Sequence, residues 1–285
     1  MRPLFVMATL CVLALLSAPA FANCADAPEP CQIAAGSYHI ELPANRDGPL
    51  PAVMFIHGYG SSGDGTMTNR GMVDSLLARG YAVVAPDGVN MQGRNGRSWN
   101  FRMRGAPERD EVAFLKAVRD DAAERFDLDA DRMLLAGFSV GGSMVSYLAC
   151  TDPGAFAAYA PVSGGFWRPH PEQCAGPVRL LHTHGWTDTT VPLEGRILRG
   201  DSLDDPNAFA QGDIFRTLEI WRAANGCNQF RADKFDTSGF FWRRSWDRCT
   251  EGSALEFAMF PGNHSIPKPW ADMAIDWFEG LQATH

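Results

Sequence analysis

From residue 51 onward the chain alternates short, nearly continuous apolar runs with longer stretches whose apolar positions recur at helical spacing. The runs at 52–56, 82–85, 133–136, 157–162, 178–182 and 255–260 have strand length and draw on Val, Leu, Ala and Phe. Continuous apolar character marks a strand covered on both faces, whereas a strand with one wet face alternates. Between them, segment 110–126 sets Val112, Leu115, Val118, Ala122 and Phe126 on one side at spacings of three and four, the period of an amphipathic helix. Segments 215–224 and 270–281 are similar, and the first stops at Asn225-Gly226, a helix-ending pair. Segment 37–42 is expected to open the sheet as an antiparallel strand. The alternation predicts an α/β fold, a mostly parallel central sheet with helices on both faces. Ligands in such sheets lie beyond the carboxyl ends of the strands, so the loops there are the ones to search for chemistry.

The first 22 residues depart from this pattern. Arg2, an apolar stretch over 4–16 and then Ser17-Ala18-Pro19-Ala20-Phe21-Ala22 read as a secretory signal peptide with an A-x-A cleavage site. The apolar part is too short for a comfortable membrane span. The expected organisation is a signal peptide over 1–22 and one catalytic domain over 23–285, in a protein secreted to the periplasm or the outside. The formal charge of −8 makes nucleic acid and anionic membranes poor partners. The run Arg94, Arg97, Arg102, Arg104 is a local exception, read either as a solvated loop or as contacts to an acidic substrate. Outside the signal stand six cysteines, Cys24, Cys31, Cys150, Cys174, Cys227 and Cys249, an even number in an exported chain. Pairing of sequence neighbours is expected, since each pair closes a short segment. No His/Cys cluster has metal-ligand spacing.

The strongest local signal is Gly137-Phe138-Ser139-Val140-Gly141-Gly142, directly after the run 133–136 and before the helix-compatible stretch 143–149. A G-x-S-x-G turn between strand and helix presents the serine hydroxyl at the top of the sheet, and its small residues let the chain turn sharply. In that architecture the triad runs in chain order Ser, acid, His. His264, in the loop after the last apolar run, is the expected base. His182 and His184 come too early, and His285 is terminal. Asp188, in the turn after the run 178–182, is the expected acid. The backbone N–H groups of Val140 and Tyr59 are the expected oxyanion donors, the latter from the loop His57-Gly58-Tyr59-Gly60. His57 reads as support for that loop.

With these residues in place the chain resembles the secreted esterases grouped with polyhydroxybutyrate depolymerases and feruloyl esterases, carbohydrate esterase family 1. The likeness runs from about residue 51 to 281. It rests on His57-Gly58-Tyr59-Gly60, Ser98-Trp99-Asn100, Asp110-Glu111-Val112-Ala113-Phe114, Asp129-Ala130-Asp131-Arg132 and the serine turn. It continues with His184-Gly185, Asp188, Val191-Pro192, Trp221 with Asn225-Gly226-Cys227, and Gly262-Asn263-His264. The resemblance implies an α/β-hydrolase fold and a serine ester hydrolase without metal or organic cofactor. The chain departs from the group at Asn263, where a small residue is common, and at Ser265-Ile266-Pro267, where Trp-Pro is common. This bears on the leaving-group wall more than on the triad.

Tyr59, Phe166, Trp167, Trp186 and Ile266 all follow expected strand ends and are therefore expected around Ser139, in a cleft suited to a planar acyl group or a sugar face. Phe240-Phe241-Trp242 and Trp246 are read either as a cleft wall or as packing on the disulfide loop. Partner expectations are a small or polymer-derived ester, either feruloyl or acetyl-sugar or hydroxyalkanoate, with no nucleic acid and no membrane insertion. Oligomeric state is left open by the sequence. Two other readings remain at this stage: acyl transfer by the same triad, and a non-catalytic binding protein on a hydrolase scaffold.

Overall fold

The structure, a computed structural model, describes residues 24–101, 108–202, 205 and 208–282. The expected signal peptide, Arg102, Arg104 and His285 lie outside these. In chain order the elements are β1 (Cys31–Ile33), β2 (Gly36–Glu41), β3 (Leu50–Ile56), α1 (Gly63–Met67), α2 (Arg70–Ala78), β4 (Ala82–Pro86), β5 (Val89–Asn90), β6 (Arg97–Ser98), α3 (Glu111–Phe126) and β7 (Leu128–Phe138). There follow α4 (Val140–Thr151), β8 (Ala158–Val162), β9 (Arg179–Gly185), β10 (Arg196–Arg199), β11 (Phe209–Gln211), α5 (Ile214–Ala224), β12 (Lys234–Asp236), β13 (Trp242–Trp246), β14 (Ala254–Phe260) and α6 (Trp270–Gln282).

One ten-stranded sheet runs in the order β1-β2-β4-β3-β7-β8-β9-β14-β13-β12. Its centre, from β4 to β14, is parallel. β2 pairs antiparallel with β4, within a residue of the span expected for it. The apolar runs have a simple physical origin, because alternate residues of one strand enter two separate cores. Met54, Met133 and Leu135 pack with α3, α4 and α5 through Leu115, Leu148 and Trp221. Val53, Phe55, Leu134 and Ala136 pack with α2 and α6 through Leu76, Trp270 and Phe278. Each such buried aliphatic or aromatic side chain stabilises the fold by roughly 1.5–3 kcal/mol.

Helix starts follow capping chemistry. Asp110 accepts a hydrogen bond from the Ala113 N–H (3.0 Å), and Asp213 caps α5 through the Arg216 N–H. Three disulfides join Cys24 to Cys31, Cys150 to Cys174 and Cys227 to Cys249. In the segment between the last pair, Trp242–Trp246 is strand β13, paired antiparallel with β14, and Trp246 packs on the disulfide loop, its Nε1 donating to the Phe230 carbonyl (3.1 Å). Phe240 and Phe241 pack on Phe260, at ring-centroid distances of 6.2 and 6.4 Å.

Behind the loops that shape the site, Asp87 ties several elements together from the end of β4. Its carboxylate accepts from Ser37 Oγ (2.8 Å) and the Gly63 N–H (2.9 Å), and it faces His39 Nε2 at 3.5 Å and Arg97 Nε at 3.4 Å. Burial alone would raise its pKa, but the bonds from His39, Gly63 and Ser37 outweigh that and bring it down to about 2. A carboxyl whose folded pKa lies below its unfolded value stabilises the fold above about pH 4 and loses that stabilisation as pH falls through about 2. The shift corresponds to about 2 kcal/mol. Urea unfolding at pH 7 and pH 3 is expected to show a smaller acid-induced loss in Asp87→Asn than in the wild type, on a lower stability at neutral pH.

Candidate active site

Ser139 stands between β7 and α4 with φ 58° and ψ −119°, a left-handed backbone that a non-glycine residue adopts at a cost. Its N–H donates to the Val162 carbonyl (2.9 Å), and its carbonyl accepts from the Ser143 N–H (2.9 Å). The following helix turn presses against the end of β3. A Cβ on Gly141 would lie 2.4 Å from the Ile56 carbonyl oxygen and 2.5 Å from that of His57, so only glycine fits there. The pinned turn holds the serine hydroxyl at the carboxyl end of the sheet.

His264 meets that hydroxyl, with Nε2 2.9 Å from Ser139 Oγ. Its Nδ1 donates to Asp188 Oδ2 at 2.7 Å. The other carboxylate oxygen, Oδ1, accepts from the N–H groups of Thr190 (2.9 Å) and Val191 (2.8 Å). Burial pushes the Asp188 pKa up, but the bonds from His264 and Val191 outweigh it, so the group lies below its ordinary value. Beneath the acid, His184 Nε2 donates to the Val191 carbonyl (2.8 Å) and lies 3.6 Å from Asp188 Oδ2. His182 Nε2 lies 3.1 Å from His184 Nδ1. Burial lowers the pKa of both, that of His182 well below its ordinary value. Both rings are therefore neutral near pH 7, and the chain of donors runs from His182 through His184 to the Val191 carbonyl.

Asn263, which the sequence marked only as a departure, joins the two loops. Its Oδ1 accepts from the His264 N–H (2.8 Å) and the Thr189 N–H (3.0 Å). One side-chain oxygen thus holds the imidazole loop against the carboxylate loop. Asn263→Ala leaves two backbone donors without that acceptor and loosens the register between His264 and Asp188. We expect kcat for a p-nitrophenyl ester to fall about tenfold with KM little changed, read by steady-state kinetics, since small misplacements of catalytic groups are costly.

The loop after β3 is braced from two sides. His57 is buried; its Nδ1 donates to the Gly58 carbonyl (2.7 Å), while its Nε2 accepts from the Gly88 N–H (3.0 Å). Burial lowers its pKa to about 4, so it stays neutral and fills the supporting place expected of it. Trp99 Nε1 donates to the His57 carbonyl (2.9 Å). From the β5–β6 ribbon, the Arg97 carbonyl accepts from the Gly60 N–H (2.9 Å). Gly96, at φ 98°, sits where a Cβ would be 2.4 Å from the Gly60 carbonyl oxygen. Among the described residues the backbone N–H groups of Tyr59 and Val140 have no acceptor, and both residues line the cleft.

The cleft has two lobes that share Tyr59, Ser139 and Thr190. The smaller, about 430 Å³, includes His264, Phe138, Met72 and Ile266. The larger, about 540 Å³, includes Val140, Trp99, Phe101, Trp167 and Phe209. Trp167 lines the larger lobe and Ile266 the smaller, and Ser139 lines both. Trp186 lines neither lobe. The bonds from the Trp186 and Thr187 N–H groups to the Phe260 and Gly262 carbonyls (both 2.9 Å) tie this turn to the loop after β14, and the indole stands exposed, edge-on to Trp242 at 6.3 Å. Phe166 is buried against Trp221 and Tyr147. Of the arginine run, Arg97 turns inward to Asp87 and the Gly88 carbonyl, whereas Arg94 Nη1 donates to Tyr59 OH (3.1 Å). Among the described residues no cluster of three or more His, Cys, Asp or Glu side chains could hold a metal ion, and no helix is long and apolar enough to cross a membrane.

Known proteins share this architecture. The acetyl xylan esterase of Aspergillus awamori superposes with a TM-score of 0.62 at 16% identity, over 86% of this chain and 94% of that one. In sequence, feruloyl esterase C of Emericella nidulans is 27% identical over 197 residues, covering 64% of this chain and 66% of the relative. Feruloyl esterase B of Piromyces equi is 25% identical over 202 residues, covering 66% of this chain and 35% of the relative. The chain spans less than two thirds of the length of these two curated relatives. Fold and likeness together define an α/β-hydrolase of the esterase type, similar to the feruloyl esterases. Within that fold class the chain belongs to the family described as X-Pro dipeptidyl-peptidase (S15 family), whose model matches residues 37–247.

Proposed function

We propose that the chain is a secreted carboxylic-ester hydrolase working through an acyl-enzyme on Ser139. One observation carries the reading: the unbroken path from Ser139 Oγ through the His264 ring to Asp188 Oδ2, at 2.9 and 2.7 Å. His264 Nε2 takes the serine proton as Oγ bonds to the ester carbonyl carbon. The Tyr59 and Val140 N–H groups receive the oxyanion. The ester C–O bond then breaks, and the alcohol leaves with the proton from Nε2. Water next gives its proton to His264 and its oxygen to the acyl carbon, releasing the acid and restoring the serine. Asp188 keeps the imidazole in the tautomer that can accept and steadies its cation without taking the proton.

The lobes follow from the same chemistry. The departing alcohol must reach His264 Nε2, so it occupies the smaller lobe, which His264 and Ile266 line. The acyl group lies beside Val140, in the larger lobe with Trp167. Its aromatic walls support a planar hydroxycinnamoyl group ahead of a short hydroxyalkanoate, with acetyl-sugar esters as smaller occupants. Peptide substrates with a free amino terminus are disfavoured, because no Asp or Glu among the described residues lines the larger lobe to receive the ammonium. The A-x-A segment ending at residue 22 and the three disulfides support export.

The test is turnover of p-nitrophenyl butyrate, methyl ferulate and an X-Pro p-nitroanilide by wild type and Ser139→Ala. Wild type is expected to hydrolyse the esters, with the anilide poor and the variant inactive on all three. Ester turnover that persists in Ser139→Ala removes the proposal.

A further inference from the structure

The larger lobe holds a charge that ester hydrolysis does not require. Arg196, at the start of β10, is the one ionised side chain among its lining residues. Its guanidinium is fixed by neutral acceptors: Nε donates to Gln211 Oε1 (3.1 Å) and Nη1 to the Thr189 carbonyl (3.3 Å). No carboxylate of the described residues pairs with it. Two further guanidiniums stand near. Arg199 lies over the Phe209 ring, 5.6 Å from its centroid, and Arg94 holds the Tyr59 hydroxyl. In a chain of net charge −8, these guanidiniums stand in or beside the acyl lobe, and no acid among the described residues lines it.

A solvated arginine on a convex surface would carry no argument. Arg196 is exposed, but it stands at the mouth of a cavity with walls of Trp99, Phe101, Trp167 and Phe209, so an aromatic group seated between those walls would bring a charge at its outer end to the guanidinium. The guanidinium fork matches a carboxylate in geometry, which a lone ammonium does not. Resting on the reading of Ser139 as the acylated residue, we propose that the larger lobe selects an acyl group that is flat, aromatic and negatively charged at its outer end. The substrate class is the half-ester of an aromatic dicarboxylic acid, its free carboxylate at Arg196 and its ester carbonyl at Ser139. Hydrolysis places the water oxygen on the acyl carbon and releases the alcohol, giving the dicarboxylate and one proton.

The experiment compares p-nitrophenyl esters of 4-carboxybenzoic and 4-methylbenzoic acid, with the full chain as wild type and Arg196→Gln, at low and high salt. Wild type is expected to favour the charged ester about tenfold in kcat/KM at low salt, with the preference shrinking as salt screens it. Arg196→Gln is expected to remove the preference, lowering kcat/KM for the charged ester about tenfold more than for the neutral one. Equal rates on the two esters in wild type, or an equal loss on both in the variant, would overturn the assignment of Arg196 and leave the esterase reading standing. Wild type inactive on both esters and on p-nitrophenyl butyrate would instead overturn the esterase reading and this inference with it.

Discussion

His264→Ala is expected to lower kcat for p-nitrophenyl butyrate by a factor on the order of 10⁴ to 10⁶ while the folded chain survives. A serine hydroxyl is a poor nucleophile until a base removes its proton, and the imidazole Nε2 of the proposed base lies 2.9 Å from it. His57 is held by Gly58 and Gly88, and His184 by Val191, so neither can turn to Ser139 in its place. The His264 side chain makes a ring contact with Phe138 at 4.7 Å but lies outside the two cores. Thermal unfolding should therefore change little. A variant retaining more than a hundredth of the wild-type rate would assign the base to another group.

Asp188→Asn is expected to cost about 10⁴-fold in kcat, for a reason written in this site's own bonds. The Thr190 and Val191 N–H groups both donate to Oδ1. They orient an asparagine so that its carbonyl oxygen stays there, and its NH₂ is turned toward His264 Nδ1. An NH₂ facing Nδ1 requires that nitrogen to be unprotonated, which puts the ring proton on Nε2, against the serine. The ring is then the wrong tautomer to act as a base, although every heavy atom keeps its place. Kinetics together with circular dichroism will separate this from unfolding: the expected variant is folded and nearly inactive.

The sequence made the sheet legible because its central strands are buried on both faces, so their apolar character is continuous and hard to mistake. The serine turn, the late histidine and the acid between them were legible because chain order and strand ends restrict the choices. Other elements left a weaker mark. Helix α1 contains Gly63 and Gly65 and reads as loop, although Ser62 caps it through the Gly65 N–H. Strand β13 carries Arg243 and Arg244 between its tryptophans, so it lacks the apolar alternation of a half-buried strand. Trp186 follows a strand end as the cleft residues do, but backbone bonds to the loop after β14 set its direction, and residue order does not carry them. Asn263 holds the Thr189 N–H, a relation between segments distant in the chain that residue order does not carry.

The measurement closest to the central claim is mass spectrometry of the chain after treatment with a fluorophosphonate near pH 7. The expected outcome is a single adduct per chain, on the peptide containing Ser139, formed rapidly in wild type and slowly in His264→Ala. Ester turnover in a chain that takes no adduct at Ser139, or takes it on a different serine, would contradict the account.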